Sequence, residues 1–68
     1  MAREDLDRDE RAFKKLPDHY REVVLLARVI GLPHKDIGEM TGRSEGSVRT
    51  LLHRALARLG VLLGSLPL

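Results

Sequence analysis

The sequence predicts an all-α domain of four helices that contains a helix-turn-helix and lacks the wing of winged-helix domains. Three observations lead to this fold class. Apolar residues recur at helical spacing along most of the chain, no segment alternates with the period of a strand, and Gly42 and Ser44 mark a tight turn between two helical stretches. A chain of 68 residues is expected to form one small domain.

The first 15 residues are predicted to form a charged N-terminal helix or linker. The stretch REDLDRDERAFKK carries dense charge of both signs. Its main apolar residues are Leu6, Ala12 and Phe13, so this segment is expected to touch the core thinly and to fray at its first turns.

The second helix is expected to be the central buried one. It starts at Pro17 and Asp18, where an acidic residue suits the helix dipole. Its apolar side chains recur at helical spacing and are predicted to form a broad core face: Tyr20, Val23, Val24, Leu25, Leu26, Ala27 and Ile30. Gly31 is expected to end the helix.

A helix-turn-helix is predicted over residues 34–59. Its first helix covers residues 34–41, with Ile37 facing inward. Gly38 lies beside Ile37, where only a small side chain lets another helix approach closely. This helix is therefore expected to pack against the next one.

The turn of this motif has clear local signals. Gly42 can adopt the left-handed conformation without a Cβ penalty, so it is expected to stop the first helix. Arg43 fills the turn. Ser44 is a good N-cap because its hydroxyl can accept from backbone N–H groups of the first turn, so the second helix is expected to begin near Glu45.

The second helix of the motif is predicted to have an apolar side and a polar side. The apolar side belongs to the core and consists of Val48, Leu51, Leu52, Ala55, Leu59, Leu62 and Leu63. The opposite side, called the polar face below, carries Gly46, Arg49, Thr50, His53, Arg54 and Ala57, with Ser47 and Arg58 at its edges. Such side chains can bind bases or phosphates in the major groove of DNA, although they are also ordinary on a solvated helix.

The charge distribution agrees with DNA as a partner. The net charge is only +2, which is too small to indicate DNA by itself. From residue 43 onward, however, the chain carries four arginines and one glutamate, so the positive charge coincides with the polar face. One Tyr, one Phe and no Trp leave no aromatic platform for stacking bases, which favours double-stranded DNA.

Several other functions are not predicted. The chain has no cysteine, and its three histidines lack the close spacing of metal ligands, so no metal or other cofactor is expected. No nucleophile arrangement or phosphate loop is present, so an enzyme is not expected. The potential acid-base residues are interpreted as surface and capping residues: Asp18, His19, His34, Asp36 and Glu39.

The C-terminal end is unusually apolar. The main domain is assigned to residues 16–63 and an apolar tail to residues 64–68. Val61 would project on the polar side if the helix continued that far. Folding of the tail back onto the first two helices is favoured over contact with another protein, because a small domain needs extra apolar area.

No apolar run approaches the length that spans a membrane, and the charged start does not resemble a secretory signal peptide. A cytoplasmic location without membrane contact is therefore expected.

Residues 16–59 resemble region 4 of the sigma-70 family of RNA polymerase sigma factors, most closely the extracytoplasmic-function group. The resemblance rests on the order and spacing of LPDHYR before an apolar helix, DIGE in the next helix, and SEGSV followed by HRA. It implies a domain that binds the minus-35 promoter element through the second helix of its helix-turn-helix. It also implies docking on the β-flap of core RNA polymerase, and an anti-sigma factor is a candidate partner.

The DNA-contacting residues that the resemblance implies agree with those of the polar face. The resemblance implies contacts to bases or to the nearby backbone from Arg43, Glu45, Gly46, Ser47, Arg49, Thr50 and His53, with Arg54 on phosphate. The leading hypothesis docks Arg49, Thr50, His53 and Arg54 in the major groove, with Arg43 and Arg58 binding phosphates. The complete predicted DNA-binding set is Arg43, Ser44, Glu45, Gly46, Ser47, Arg49, Thr50, His53, Arg54 and Arg58. Glu45 either accepts from a cytosine amino group or favours the helix N-terminus, and the second role is preferred.

The sequence departs from the family pattern at three positions. Gly38 stands where the family usually has Ala, which costs about 1 kcal/mol of helix propensity. Leu51 and Leu56 stand where family members often carry Arg, so weaker DNA affinity is expected. Region 2, which reads the minus-10 element, is absent, so a fragment of a longer factor or a stand-alone relative is expected.

Two alternatives are kept open. LuxR-type regulators have an output domain with a similar four-helix layout and dimerise through the last helix, which the apolar tail would suit. A sigma-like domain that binds only an anti-sigma factor or polymerase would explain the missing arginines. The retained residues Arg49, Thr50, His53 and Arg54 favour DNA binding over the second alternative.

Overall fold

A computed structural model describes the backbone of residues 3–64 and the side chains of residues 8–64. Over this range the chain forms α1 (Arg3–Lys14), α2 (Asp18–Val24), a π-helical segment (Leu25–Ile30), α3 (His34–Thr41) and α4 (Glu45–Leu62). No strand occurs in the described residues. The predicted all-α fold with four α-helices is therefore confirmed.

The core lies where α2, α3 and α4 meet. Its buried residues are Val23, Val24, Ile37, Val48, Leu52 and Ala55. Ile37 and Val48 have no solvent exposure at all (0%), because α3 packs directly on the first turns of α4. The apolar spacing that predicted these two faces is confirmed.

α1 adds a small part to this core. Ala12 is buried, Phe13 is half-buried against the main cluster, and Leu16 in the following loop is 2% exposed. The thin contact predicted for this segment is confirmed at Ala12 and Phe13. The side chain of Leu6 lies outside the described residues.

The helix that was expected to run without change from Asp18 to Gly31 is α-helical only as far as Val24. In the π-helical segment that follows, the N–H of Gly31 donates to the carbonyl of Leu26, five residues earlier, at 3.0 Å. A π-helix advances by a smaller angle per residue than an α-helix, so side chains after Val24 turn away from the α-helical register.

Because of this change of register, two residues that were predicted to be buried are exposed, and the prediction is wrong for them. Ile30 is 59% exposed and Leu25 is 42% exposed, whereas both were expected on the buried face. Val29 is also exposed, at 71%. Leu26 and Ala27 pack against the core as expected. Gly31 ends the segment, as predicted, and does so in the left-handed conformation with φ 86°.

The turn of the helix-turn-helix has the predicted geometry. Gly42 has φ 72° and its N–H donates to the carbonyl of Gly38. The N–H of Arg43 donates to the same carbonyl at 2.9 Å. Two donors on one carbonyl close α3 tightly, and the chain then turns directly into α4.

α4 continues to Leu62, three residues beyond the predicted end of the motif. Val61 was expected to project on the exposed polar side of α4, but it is half-buried. Leu62 and Leu63 are half-buried too, and Gly64 follows with φ 75°. Of the predicted tail, residues 64–68, all but Gly64 lie outside the described residues, so its folding back stays a prediction. No helix between residues 3 and 64 is long and apolar enough to cross a membrane.

Candidate nucleic-acid interface

The start of α4 is fixed by a side-chain cap. Ser44 has an extended backbone, with φ −71° and ψ 158°, and its hydroxyl accepts from the N–H of Ser47 at 3.1 Å. The carbonyl of Ser44 accepts from the N–H of Val48 at 3.0 Å. The first turn of α4 is thereby held rigid, and this turn carries several of the predicted DNA-binding residues.

All ten predicted DNA-binding residues are exposed in the structure. They follow the turn and the outer side of α4: Arg43, Ser44, Glu45, Gly46, Ser47, Arg49, Thr50, His53, Arg54 and Arg58. The opposite side of the same helix is anchored in the core by Val48, Leu52 and Ala55. Packing therefore fixes the direction in which the polar face points.

Two charged residues on the first turns of α4 form an ion pair. The carboxylate of Glu45 lies 3.9 Å from the guanidinium of Arg49, and the two side chains are 56% and 65% exposed. An exposed pair of this length contributes little to stability. Its main effect is on the position of Arg49, because Glu45 draws the guanidinium toward the start of the helix.

The backbone at Gly46 is open. A Cβ added there would meet nothing within 4 Å. In the absence of a side chain, a phosphate or base edge can approach the first turn of α4, where backbone N–H groups and the helix dipole favour negative charge.

A groove runs along the polar face toward the start of α2. Its volume is about 470 Å³. The lining residues come from α2, from the turn and from α4: His19, Arg43, Gly46, Ser47, Thr50, Leu51 and Arg54. The structure thus brings two arginines and two hydroxyl side chains of the predicted set together in one concave surface.

His19 was interpreted as a surface or capping residue, and it is exposed, but the sequence did not predict its place in the groove. α2 begins at Asp18, its N-cap position is occupied by Pro17, and no side chain caps it. His19 therefore has no capping role. It enters the groove because α2 packs across α4, and no local pattern in the sequence gives that relationship.

The two leucines at family arginine positions have a structural role. Leu51 and Leu56 are half-buried and pack against the core cluster, and Leu51 also lines the groove. These side chains give the small domain additional apolar contact where longer basic side chains would extend into solvent. The cationic groups of α4 are consequently restricted to Arg49, Arg54 and Arg58.

Comparison with known proteins identifies the family. The family model described as Sigma-70, region 4 matches residues 10–59, which is most of the chain and contains the whole polar face. The chain belongs to the sigma-70 region 4 family. Within this range lie the capped turn, the core of α2, α3 and α4, and all ten predicted DNA-binding residues.

Two curated relatives place this region 4 domain with the extracytoplasmic-function type. The ECF RNA polymerase sigma factor ShbA of Streptomyces griseus subsp. griseus is 45% identical over 47 residues, which cover 69% of this chain and 25% of the relative. The RNA polymerase sigma factor CarQ of Myxococcus xanthus is 44% identical over 52 residues, which cover 76% of this chain and 29% of the relative. No solved structure matches the chain.

The chain therefore spans between a quarter and three tenths of the length of these relatives. The resemblance to sigma-70 region 4 that the sequence motifs indicated is confirmed. Region 4 is a DNA-binding domain of transcription factors, and the family match decides against the LuxR-type interpretation.

Proposed function

We propose that this region 4 domain recognises the promoter minus-35 element by placing α4 in the major groove of double-stranded DNA. One observation carries the proposal. The residues able to bind bases all lie on the exposed side of a helix whose other side is anchored in the core by Val48, Leu52 and Ala55. A helix held in this way can present a fixed pattern of donors and acceptors to base edges.

Base recognition is assigned to the middle of the polar face. Arg49 and Arg54 can donate two hydrogen bonds to a guanine edge, and Arg54 can alternatively bind phosphate. Thr50 offers a hydroxyl and a methyl group, the second of which suits the methyl of thymine. His53 can donate to a base acceptor. All four side chains are exposed.

Phosphate binding is assigned to the two ends of the face. Arg43 in the turn and Arg58 near the C-terminal end of α4 are both exposed. Ser44 and Ser47 belong to the first turn, whose open backbone at Gly46 lets a phosphate approach. Contacts of this kind set the orientation of the helix on DNA and make the affinity dependent on salt.

Selection from a pool of random duplexes, at low and at moderate salt, tests this proposal directly. We expect one shared sequence motif, with an affinity that falls as salt rises. The variant Arg49→Ala should lose preference at one base position, at a cost of about 1–3 kcal/mol for the best site. Arg28→Ala removes an exposed arginine outside the polar face and serves as the charge-matched control.

Two results would contradict base recognition by α4. The first is a selection with no enriched sequence at either salt. The second is an Arg49→Ala variant that selects the same motif as the wild type with unchanged preference.

We also propose docking on core RNA polymerase through its β-flap, with an anti-sigma factor as a competing partner. Exposed apolar side chains favour a protein-binding function: Val29 is 71% exposed, Ile30 is 59% exposed and Met40 is 64% exposed. Both relatives are RNA polymerase sigma factors, which supports polymerase as the partner. The double variant Val29→Ser, Ile30→Ser should weaken binding to the isolated β-flap and leave duplex binding unchanged. Unchanged flap binding would exclude these residues from the contact.

A further inference from the structure

The groove on the polar face contains one residue that the helix-turn-helix does not supply. His19 lies in the first turn of α2 and is exposed, with its ring centroid 4.6 Å from that of Tyr20. It shares the groove with two arginines and two hydroxyl side chains of the turn and α4. None of the DNA contacts proposed above uses it.

The position of His19 is fixed by the way α2 begins. The carbonyl of Pro17 accepts from the N–H groups of Tyr20 and Arg21, each at 3.0 Å. The guanidinium of Arg21 donates to the carbonyl of Lys14 at 3.0 Å and pairs with the carboxylate of Asp18. Below this turn, Val23 and Val24 are buried in the same cluster as residues of α4. The first turn of α2 is therefore held against α4.

The charges around His19 favour an anion. Arg54 of α4 and Arg43 of the turn line the same groove, and no acidic residue does. On α2 itself the acidic residues nearest in sequence are Asp18, which is paired with Arg21, and Glu22, which is exposed and lies outside the groove lining. A protonated imidazole that shares a groove with two guanidinium groups gains from a phosphate bound in that groove, since each positive group then has a negative partner.

We propose that His19, in its protonated form, binds a backbone phosphate of the DNA whose bases α4 reads, so that duplex binding takes up a proton. This assignment rests on the proposed function. Ser47 supplies a neutral donor to the same phosphate, while Arg43, and Arg54 in its alternative phosphate-binding role, supply permanent charge. Histidine is the side chain whose charge changes between about pH 5 and pH 8, so duplex affinity rises as the pH falls through this range.

Fluorescence anisotropy on the 68-residue chain tests the assignment with the most enriched duplex and a scrambled duplex, near pH 6 and near pH 8. His19→Gln should weaken binding several-fold near pH 6, equally for both duplexes, and should reduce the salt slope by about 1. Its affinity should also depend less on pH than that of the wild type. His19→Arg should restore affinity near pH 8, because its charge is permanent.

Two matched histidine variants separate this role from others. His53→Gln lies on the polar face and should change base preference, whereas His34→Gln lies outside the groove lining and should change neither affinity nor preference. Unchanged unfolding midpoints establish that each variant is folded.

The outcomes distinguish the two proposals. If Arg49→Ala loses base preference while His19→Gln binds both duplexes like the wild type at either pH, the proposed function stands and the His19 assignment is wrong. If the wild type binds no duplex, both are wrong. If inorganic phosphate alone shifts the imidazole NMR signals of His19 at micromolar concentration, the groove is a site for a free anion, and the DNA-phosphate assignment is overturned.

Discussion

The backbone carbonyl of Arg43 lies against the Cα of Gly38, in the space that a Cβ would occupy. A Cβ built on Gly38 comes far inside van der Waals contact with that oxygen, and it also approaches the carbonyl carbon, at 3.4 Å. The turn of the helix-turn-helix is therefore packed directly on α3. This contact explains why glycine stands at a position where the family usually has alanine. Glycine lowers the helix propensity of α3, but it leaves room for the turn to pack more closely.

The first prediction concerns this contact. Gly38→Ala should lower the free energy of unfolding by about 1–3 kcal/mol, because the added Cβ would overlap the carbonyl oxygen of Arg43. That oxygen belongs to the backbone, so the turn itself must move outward. Gly46→Ala is the matched control within α4, where an added Cβ meets nothing and helix propensity improves. Urea unfolding followed by circular dichroism measures both variants. A Gly38→Ala midpoint at or above that of the wild type would mean that the turn relaxes freely.

The second prediction concerns the start of α4. Ser44→Ala removes the hydroxyl that accepts from the N–H of Ser47, and it should cost about 1 kcal/mol of stability. Ser47→Ala keeps the backbone N–H in that bond, so its effect should be clearly smaller. Thermal unfolding of the two variants side by side gives the comparison. Equal losses would show that the cap does not stabilise this helix.

The third prediction separates the two roles considered for Glu45. Glu45→Gln should change stability by no more than about 1 kcal/mol, since the pair with Arg49 is exposed and the helix-dipole contribution is small. It should raise affinity for matched and scrambled duplexes alike, because it removes a negative charge near the phosphates. Glu39→Gln on α3 is the charge-matched control. Loss of preference at a single cytosine would instead assign Glu45 to base recognition.

The fourth prediction concerns the core between α3 and α4. Ile37 is fully buried, so Ile37→Val should cost about 1 kcal/mol through the lost methylene group and the space it leaves. Met40 lies on the same helix and is 64% exposed, so Met40→Ala should stay within about 0.5 kcal/mol of the wild type. Chemical denaturation measures both free energies. A larger effect at Met40 than at Ile37 would contradict the described packing.

The parts of the fold that the sequence predicted are those with local signals. Gly42 and Ser44 act within one turn of their own position, so the end of α3 and the start of α4 follow from residue type alone. The spacing of Val48, Leu52 and Ala55 correctly predicted which side of α4 is buried, and therefore which side is exposed.

Other features depend on contacts between distant parts of the chain. The stretch from Leu25 to Ile30 keeps a helical apolar pattern, so nothing in it distinguishes a π-helical turn from an α-helical one. His19 belongs to the groove only because α2 packs across α4, which is a tertiary relationship. The small side chain of Gly38 was expected to let another helix approach, but the structure places the turn backbone of Arg43 there instead.

The π-helical segment has a consequence for changes in chain length. Each of its hydrogen-bonded turns encloses one residue more than an α-helical turn, as the bond from Gly31 to Leu26 shows. We expect deletion of one residue between Leu25 and Ile30 to convert the segment to an α-helix that keeps Val24 and the Gly31 terminator. The chain length can thus change by a single residue at this site without breaking a helix. Such a change alters which apolar side chains face the solvent.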